Sequence, residues 1–158
     1  MRKISLIAVA AALACGGSSN PAPTNVYVAT LNSAGEFPAP PKPNTAAAGT
    51  ATFTVNASSI DYVFTFNNLS GPPTAMHIHP GAAGTANPPV VPPPSPLPTT
   101  TAATVTGTWQ AADIKAGGGI AAGDLNGLVA AMKNGTAYAN IHTTNNPNGE
   151  IRGQINPK

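Results

Sequence analysis

Eighteen prolines and sixteen glycines, spread through 158 residues, exclude a bundle of long helices before any other pattern is read. Each proline fixes φ and removes a backbone donor, and each glycine resists ordering, so regular elements must be short and turns frequent. Much of the 42% hydrophobic content is Ala and only 5% is aromatic. The core must therefore be modest and built from Val, Ile, Leu and a few rings. A chain of this length holds one domain, and short strands in a sandwich or barrel suit it better than helices.

Period-two alternation locates the strands. In Thr50 to Val55, Ala51, Phe53 and Val55 share one side and Thr50, Thr52 and Thr54 the other. Ile60, Tyr62, Phe64 and Phe66 repeat the pattern, and Asn56 to Ser59 between them predicts a hairpin. Further strands are expected at Val26–Leu31, Thr74–His79 and Thr104–Trp109, and at Thr136–Thr143 and Glu150–Ile155 joined by a turn-rich link. Residues 36–48 read as a loop, and the proline-rich stretch 80–100 as a surface excursion. One short helix is predicted by Leu125, Leu128, Val129 and Met132 at i, i+3, i+4 and i+7, with Asp124 as its cap and Asn134-Gly135 as its stop. The expected fold is all-β: a Greek-key-like antiparallel β-sandwich or partly closed barrel of seven or eight strands with one short helix.

The first fifteen residues read as an export signal. Arg2 and Lys3 precede an apolar run, Ile4 to Ala14, too short to span a bilayer. The run ends in Ala12-Leu13-Ala14-Cys15, which resembles a lipobox. Cys15, the only cysteine, then becomes a lipidated N-terminus, and residues 16–25 form a tether ahead of a domain at 26–156. The expected address is the cell envelope, held to the membrane by lipid; ordinary cleavage to a soluble secreted or periplasmic protein is the alternative.

Beyond the leader, Lys42, Lys115, Lys133, Arg152 and Lys158 balance Glu36, Asp61, Asp113, Asp124 and Glu150. With no net side-chain charge and no basic run, nucleic acid is excluded as an electrostatically driven partner. No Gly-x-Ser-x-Gly, phosphate loop or free thiol offers a nucleophile, so no catalytic residue is assigned.

The three histidines carry the remaining chemistry. His77 and His79 lie two apart and share a strand face, while His142 shares its face with Asn140 and Tyr138. If these strands are neighbours, three neutral imidazoles form a workable Cu or Zn site with a position left open. Asn140, Glu150 and Arg152 are the expected second sphere, with Glu150 orienting an imidazole. The competing reading is structural: the imidazoles hydrogen-bond loop carbonyls, Glu150 or Asn140, and Arg152 braces a loop or pairs with Glu150.

Three stretches resemble the CHRD domain, the module repeated in chordin. Ala29-Thr30-Leu31-Asn32-Ser33-Ala34-Gly35-Glu36-Phe37-Pro38 is similar to its opening, and Thr74-Ala75-Met76-His77-Ile78-His79 to its Ala-x-His-Ile-His signature. Tyr138-Ala139-Asn140-Ile141-His142-Thr143, followed by Asn146 to Ile155, resembles its closing signature. Gly35, Phe37 and Pro80-Gly81 depart from the family pattern. In chordin the repeats belong to an extracellular antagonist of bone morphogenetic proteins, which implies for this chain an extracytoplasmic module and no particular activity. The His-Ile-His strand with a late His is also similar to the copper side of copper–zinc superoxide dismutase, without counterparts of the bridging His, zinc-site Asp or disulfide. That likeness implies a mononuclear site. Two function classes follow: a non-enzymatic, membrane-anchored binding or structural module with a protein partner at the cell surface, or a mononuclear copper- or zinc-binding protein. A redox enzyme is the furthest extension of the second.

Overall fold

The computed structural model describes residues 25–158. The leader 1–15 with Cys15, and the tether up to residue 24, lie outside the described residues. Eight antiparallel strands form one sheet: β1 (Val26–Asn32), β2 (Ala48–Val55), β3 (Ser59–Asn67), β4 (Pro73–Pro80), β5 (Ala103–Gln110), β6 (Ala137–Thr143), β7 (Ile151–Gln154) and β8 (Asn156–Pro157). The order is β4-β6-β7-β1-β2-β3-β5, with β8 beside β1. The sheet curls into a half-barrel, the partly closed form of the expected architecture.

The alternation decides which side faces the core. In the β2–β3 hairpin, Phe53 lies opposite Tyr62 and Ala51 opposite Phe64. On the far side of β3, Ile60 faces Trp109 and Phe64 faces Val105. Phe53, Phe64 and Trp109 are buried on this inner face, with Phe53 edge-on to Phe64 at 5.7 Å and Tyr62 4.1 Å from Trp109. Gly107 stands opposite Tyr62, where a Cβ would strike the ring.

Among the described residues one α-helix forms, α1 (Leu125–Lys133), and it follows its predicted stripe: Leu125, Leu128 and Met132 are buried. Asp124 Oδ1 accepts from the Gly127 N–H at 2.8 Å, and Gly135 at φ +68° ends it.

Two expectations need amendment. The proline-rich stretch is not wholly a surface excursion. Val90 and Val91 are buried, and the Val90 N–H donates to the Ile78 carbonyl at 2.9 Å. The loop thus occupies the free edge of β4, which would otherwise leave ladder groups unpaired. The short β8, paired to β1 through Tyr27–Pro157 and Val28–Asn156, has no sequence signal because two residues show no alternation.

Candidate metal centre

β6 is the strand that assembles the site. It pairs with β4 on one side, placing His77 opposite Asn140 and His79 opposite Tyr138. On the other side it pairs with β7, placing Asn140 opposite Arg152 and Tyr138 opposite Gln154. Odd positions of β4 therefore share the outer face with even positions of β6 and β7, while Met76, Ile78, Ile141 and Ile151 fill the core. Gly153 is required where β7 passes β1, because a Cβ there would collide with the Thr30 backbone.

The three predicted imidazoles converge. Ring centroids are 5.6 Å apart for His77–His79, 5.4 Å for His77–His142 and 6.2 Å for His79–His142. One nitrogen from each lies within 4.8 Å of the others. A tetrahedral ion with bonds of ~2.0–2.1 Å holds its ligand atoms about 3.3 Å apart, so small side-chain rotations close the set.

Backbone carbonyls fix which nitrogens face inward. His79 Nδ1–H donates to the Asn87 carbonyl at 2.6 Å and His142 Nδ1–H to the Pro147 carbonyl at 2.8 Å. That leaves Nε2 of both rings basic. His79 Nε2 lies 3.0 Å from Asn140 Oδ1, and exchanging the two ends of that amide places its NH2 there as the donor a basic Nε2 accepts. His142 Nε2 and His77 Nδ1 are buried without a hydrogen-bond partner.

Burial keeps the rings neutral. It pushes His77 down to about 4, helped by His142, His79 and Lys115. Burial also lowers His79 and His142, against the opposing pull of the Asn87 and Pro147 carbonyls.

The second sphere differs from expectation. Asn140 does touch a ligand candidate, through His79. Glu150 does not: its carboxylate accepts from the Ser70 N–H and hydroxyl, the Thr143 hydroxyl and the Asn44 amide. It sits outside β7, at the turn entering the strand, so its side chain leaves the face that alternation assigned to it. Desolvation raises Glu150, but those donors outweigh it and lower its pKa. The imidazole-orienting role falls instead to the two carbonyls. Nor does Arg152 pair with Glu150. Its guanidinium donates to the Thr85 carbonyl at 2.7 Å, to the Ala82 carbonyl at 3.2 Å and to Gln154. It also stacks 3.3 Å from the centre of Tyr138, which stacks on His79 at 4.8 Å. Arg152 thus braces the 82–85 loop and the His79 ring together.

A cleft of about 240 Å³ opens beside the imidazoles, lined by His79, His142, Asn140, Arg152, Glu36 and Phe37 among others. Glu36 had no assigned role in the sequence, where an acid before Phe-Pro-Ala-Pro-Pro shows no periodicity. It is buried against Gly149, whose φ of +129° and lack of a Cβ admit the carboxyl. Burial lifts Glu36 to about 7, with the Arg152 charge and the Phe37 N–H pulling the other way.

Comparison with curated proteins and with solved structures gave no match. The family model for the CHRD domain matches residues 27–155, which include all three histidines, Glu36, Glu150 and Arg152. The chain belongs to the CHRD domain family.

Proposed function

We propose that this CHRD module binds one late first-row divalent ion, Cu(II) or Zn(II), through His77, His79 and His142. The observation that carries the reading is the pair of buried, unpartnered nitrogens, His77 Nδ1 and His142 Nε2, within a cluster of three neutral rings. Leaving a buried polar atom unpaired costs roughly 1–3 kcal/mol, and a metal ion relieves both atoms at once. The carbonyl bonds at Asn87 and Pro147 support both the structural and the metal readings of the sequence. They pin turns, and they are also the outer bonds that metal-binding imidazoles make. Three neutral nitrogen ligands suit both ions, with Cu(II) the tighter binder at equal geometry. Three protein ligands would leave a fourth position open for water or a small ligand.

The leader and Cys15 support an envelope-anchored form of this module, with lipid as its attachment to a membrane. Labelling with a radioactive fatty acid, lost in Cys15→Ser, is the expected result; label retained in that variant removes the anchor.

The metal reading is tested by titrating the full chain with Cu(II) and Zn(II) and following Cu(II) by EPR. One equivalent with nitrogen hyperfine structure is expected. Its loss in His77→Ala and His142→Ala, with folding checked by circular dichroism, establishes the site. Failure to bind stoichiometrically, with variants that are only less stable, returns these histidines to a structural role.

A further inference from the structure

A divalent ion held by three neutral imidazoles brings both of its charges into the cleft wall. Arg152, only 1% exposed, adds a third, and its hydrogen bonds go to two carbonyls and the neutral Gln154 rather than to an acid. Those bonds use three of the five guanidinium N–H groups. The acid that lines the same cleft is Glu36, 8% exposed, with its buried Oε1 unpartnered. At most one negative charge therefore faces three positive ones, and such a deficit is met by an anion.

Size and lining narrow the class. The cleft, about 240 Å³, holds roughly eight waters at ~30 Å³ each, far more than one bare halide needs. At its mouth stand Pro38 and Phe37, the latter half exposed and one of two large exposed hydrophobic side chains among the described residues. Resting on the metal reading above, we infer that this cleft binds a small organic carboxylate. Its oxygens take the open metal position and meet Glu36 and Arg152, and its apolar body lies against Phe37.

Glu36 has a defined part in this. Its surroundings are Arg152 on β7, the Phe37 N–H in its own loop and Gly149 in the β6–β7 turn; His79, His142 and Tyr138 line the rest of the cleft. Protonated, it donates an O–H to the incoming carboxylate and the two acids share one proton. Ionised, it repels the ligand.

The test uses the full chain loaded with one equivalent of Cu(II) and titrated with benzoate and, separately, acetate, reading the EPR parameters. At pH 6 a saturable shift is expected, with benzoate bound about tenfold more tightly than acetate because its ring is buried. Phe37→Ala should remove that preference. Benzoate affinity should fall as pH rises and Glu36 ionises, and Glu36→Gln should abolish the fall. If Cu(II) binds with nitrogen hyperfine structure but benzoate leaves the spectrum unchanged, the carboxylate site is wrong and the metal site stands. If chloride shifts the spectrum as well as benzoate does, and both variants behave as wild type, the position is merely an open one and the inference fails. If Cu(II) does not load, both readings fall together.

Discussion

Along β2, β3 and β5 the outer face of the sheet carries Thr52, Thr54, Thr65 and Thr106 toward solvent, whereas along β4, β6 and β7 the same face carries His79, Tyr138, Asn140 and Arg152, all buried. The strands are built alike: period-two alternation, one face on a shared core, antiparallel register. What differs is the cover. Loops bearing Glu36, Thr85, Asn87 and Pro147 fold over the second half and hydrogen-bond or pack onto it, whereas among the described residues the Thr65 hydroxyl bonds only its strand neighbour Thr104 and Thr106 is exposed. A polar face left open needs nothing from the protein because water satisfies it. A polar face covered by loops must be satisfied internally, and every atom left over is costly. The first half therefore holds the molecule together through its inner face alone, while the second half is stabilised through both faces and keeps a few unsatisfied atoms at its centre.

The largest effect separating the halves is expected at Phe64. It is fully buried between Phe53 and Trp109, so Phe64→Ala should cost about 3–5 kcal/mol in denaturant unfolding. Metal affinity of the folded protein should not change, because the ring touches the inner face only. A matching loss of affinity would show that the two faces are coupled. Next comes Arg152→Met, which keeps the stem but abandons the Thr85 and Ala82 carbonyls and the stack on Tyr138. A loss of about 3 kcal/mol is expected, together with faster amide exchange across residues 82–87 and weaker metal binding. Stability lost with metal binding intact would mean that Arg152 supports the fold and not the ring of His79.

Glu36 turns the comparison into a pH experiment. Its pKa is raised in the folded protein to about 7 from 4.5, so between those values the unfolded chain has released a proton that the folded chain keeps. Stability from this group falls as pH rises from about 4.5 to 7 and stays low above it. Glu36→Gln should therefore stabilise the protein at pH 8 by on the order of 2–3 kcal/mol and leave it unchanged at pH 4. Equal effects at both pH values would show that Glu36 acts through its shape rather than its proton.

Legibility in the sequence follows the same division. Alternation revealed both hairpins, the helix stripe and the shared face of His77 and His79, since each is a local repeat. Convergence of His142 followed from its face once β6 lay beside β4. The cover was not legible. Glu36, Asn87 and Pro147 act from loops, two of them through main-chain carbonyls that every residue possesses. Glu150 was placed on the wrong partners for a related reason: it lies one residue before β7, where alternation no longer governs direction. The stretch 80–100 reads as a surface excursion because its prolines indicate irregular backbone, not where that backbone goes, and Val90 within it is buried.

The smallest predicted effect tests the open half directly. Thr106 lies mid-strand on β5, exposed, opposite Val63 and away from every hydrogen-bonded side chain of the site. Thr106→Ala loses some β propensity and little packing, so a change within about 0.5 kcal/mol is expected. Asn140→Ala, equally mid-strand and polar on the same face, removes the partner of His79 Nε2 and should cost about 1–3 kcal/mol. The ratio of the two is the quantity that matters, because chemistry and strand position are nearly matched and cover alone differs. Equal small losses would mean that the loops over β4 and β6 admit water freely, which would dissolve the desolvation argument for neutral, metal-ready imidazoles.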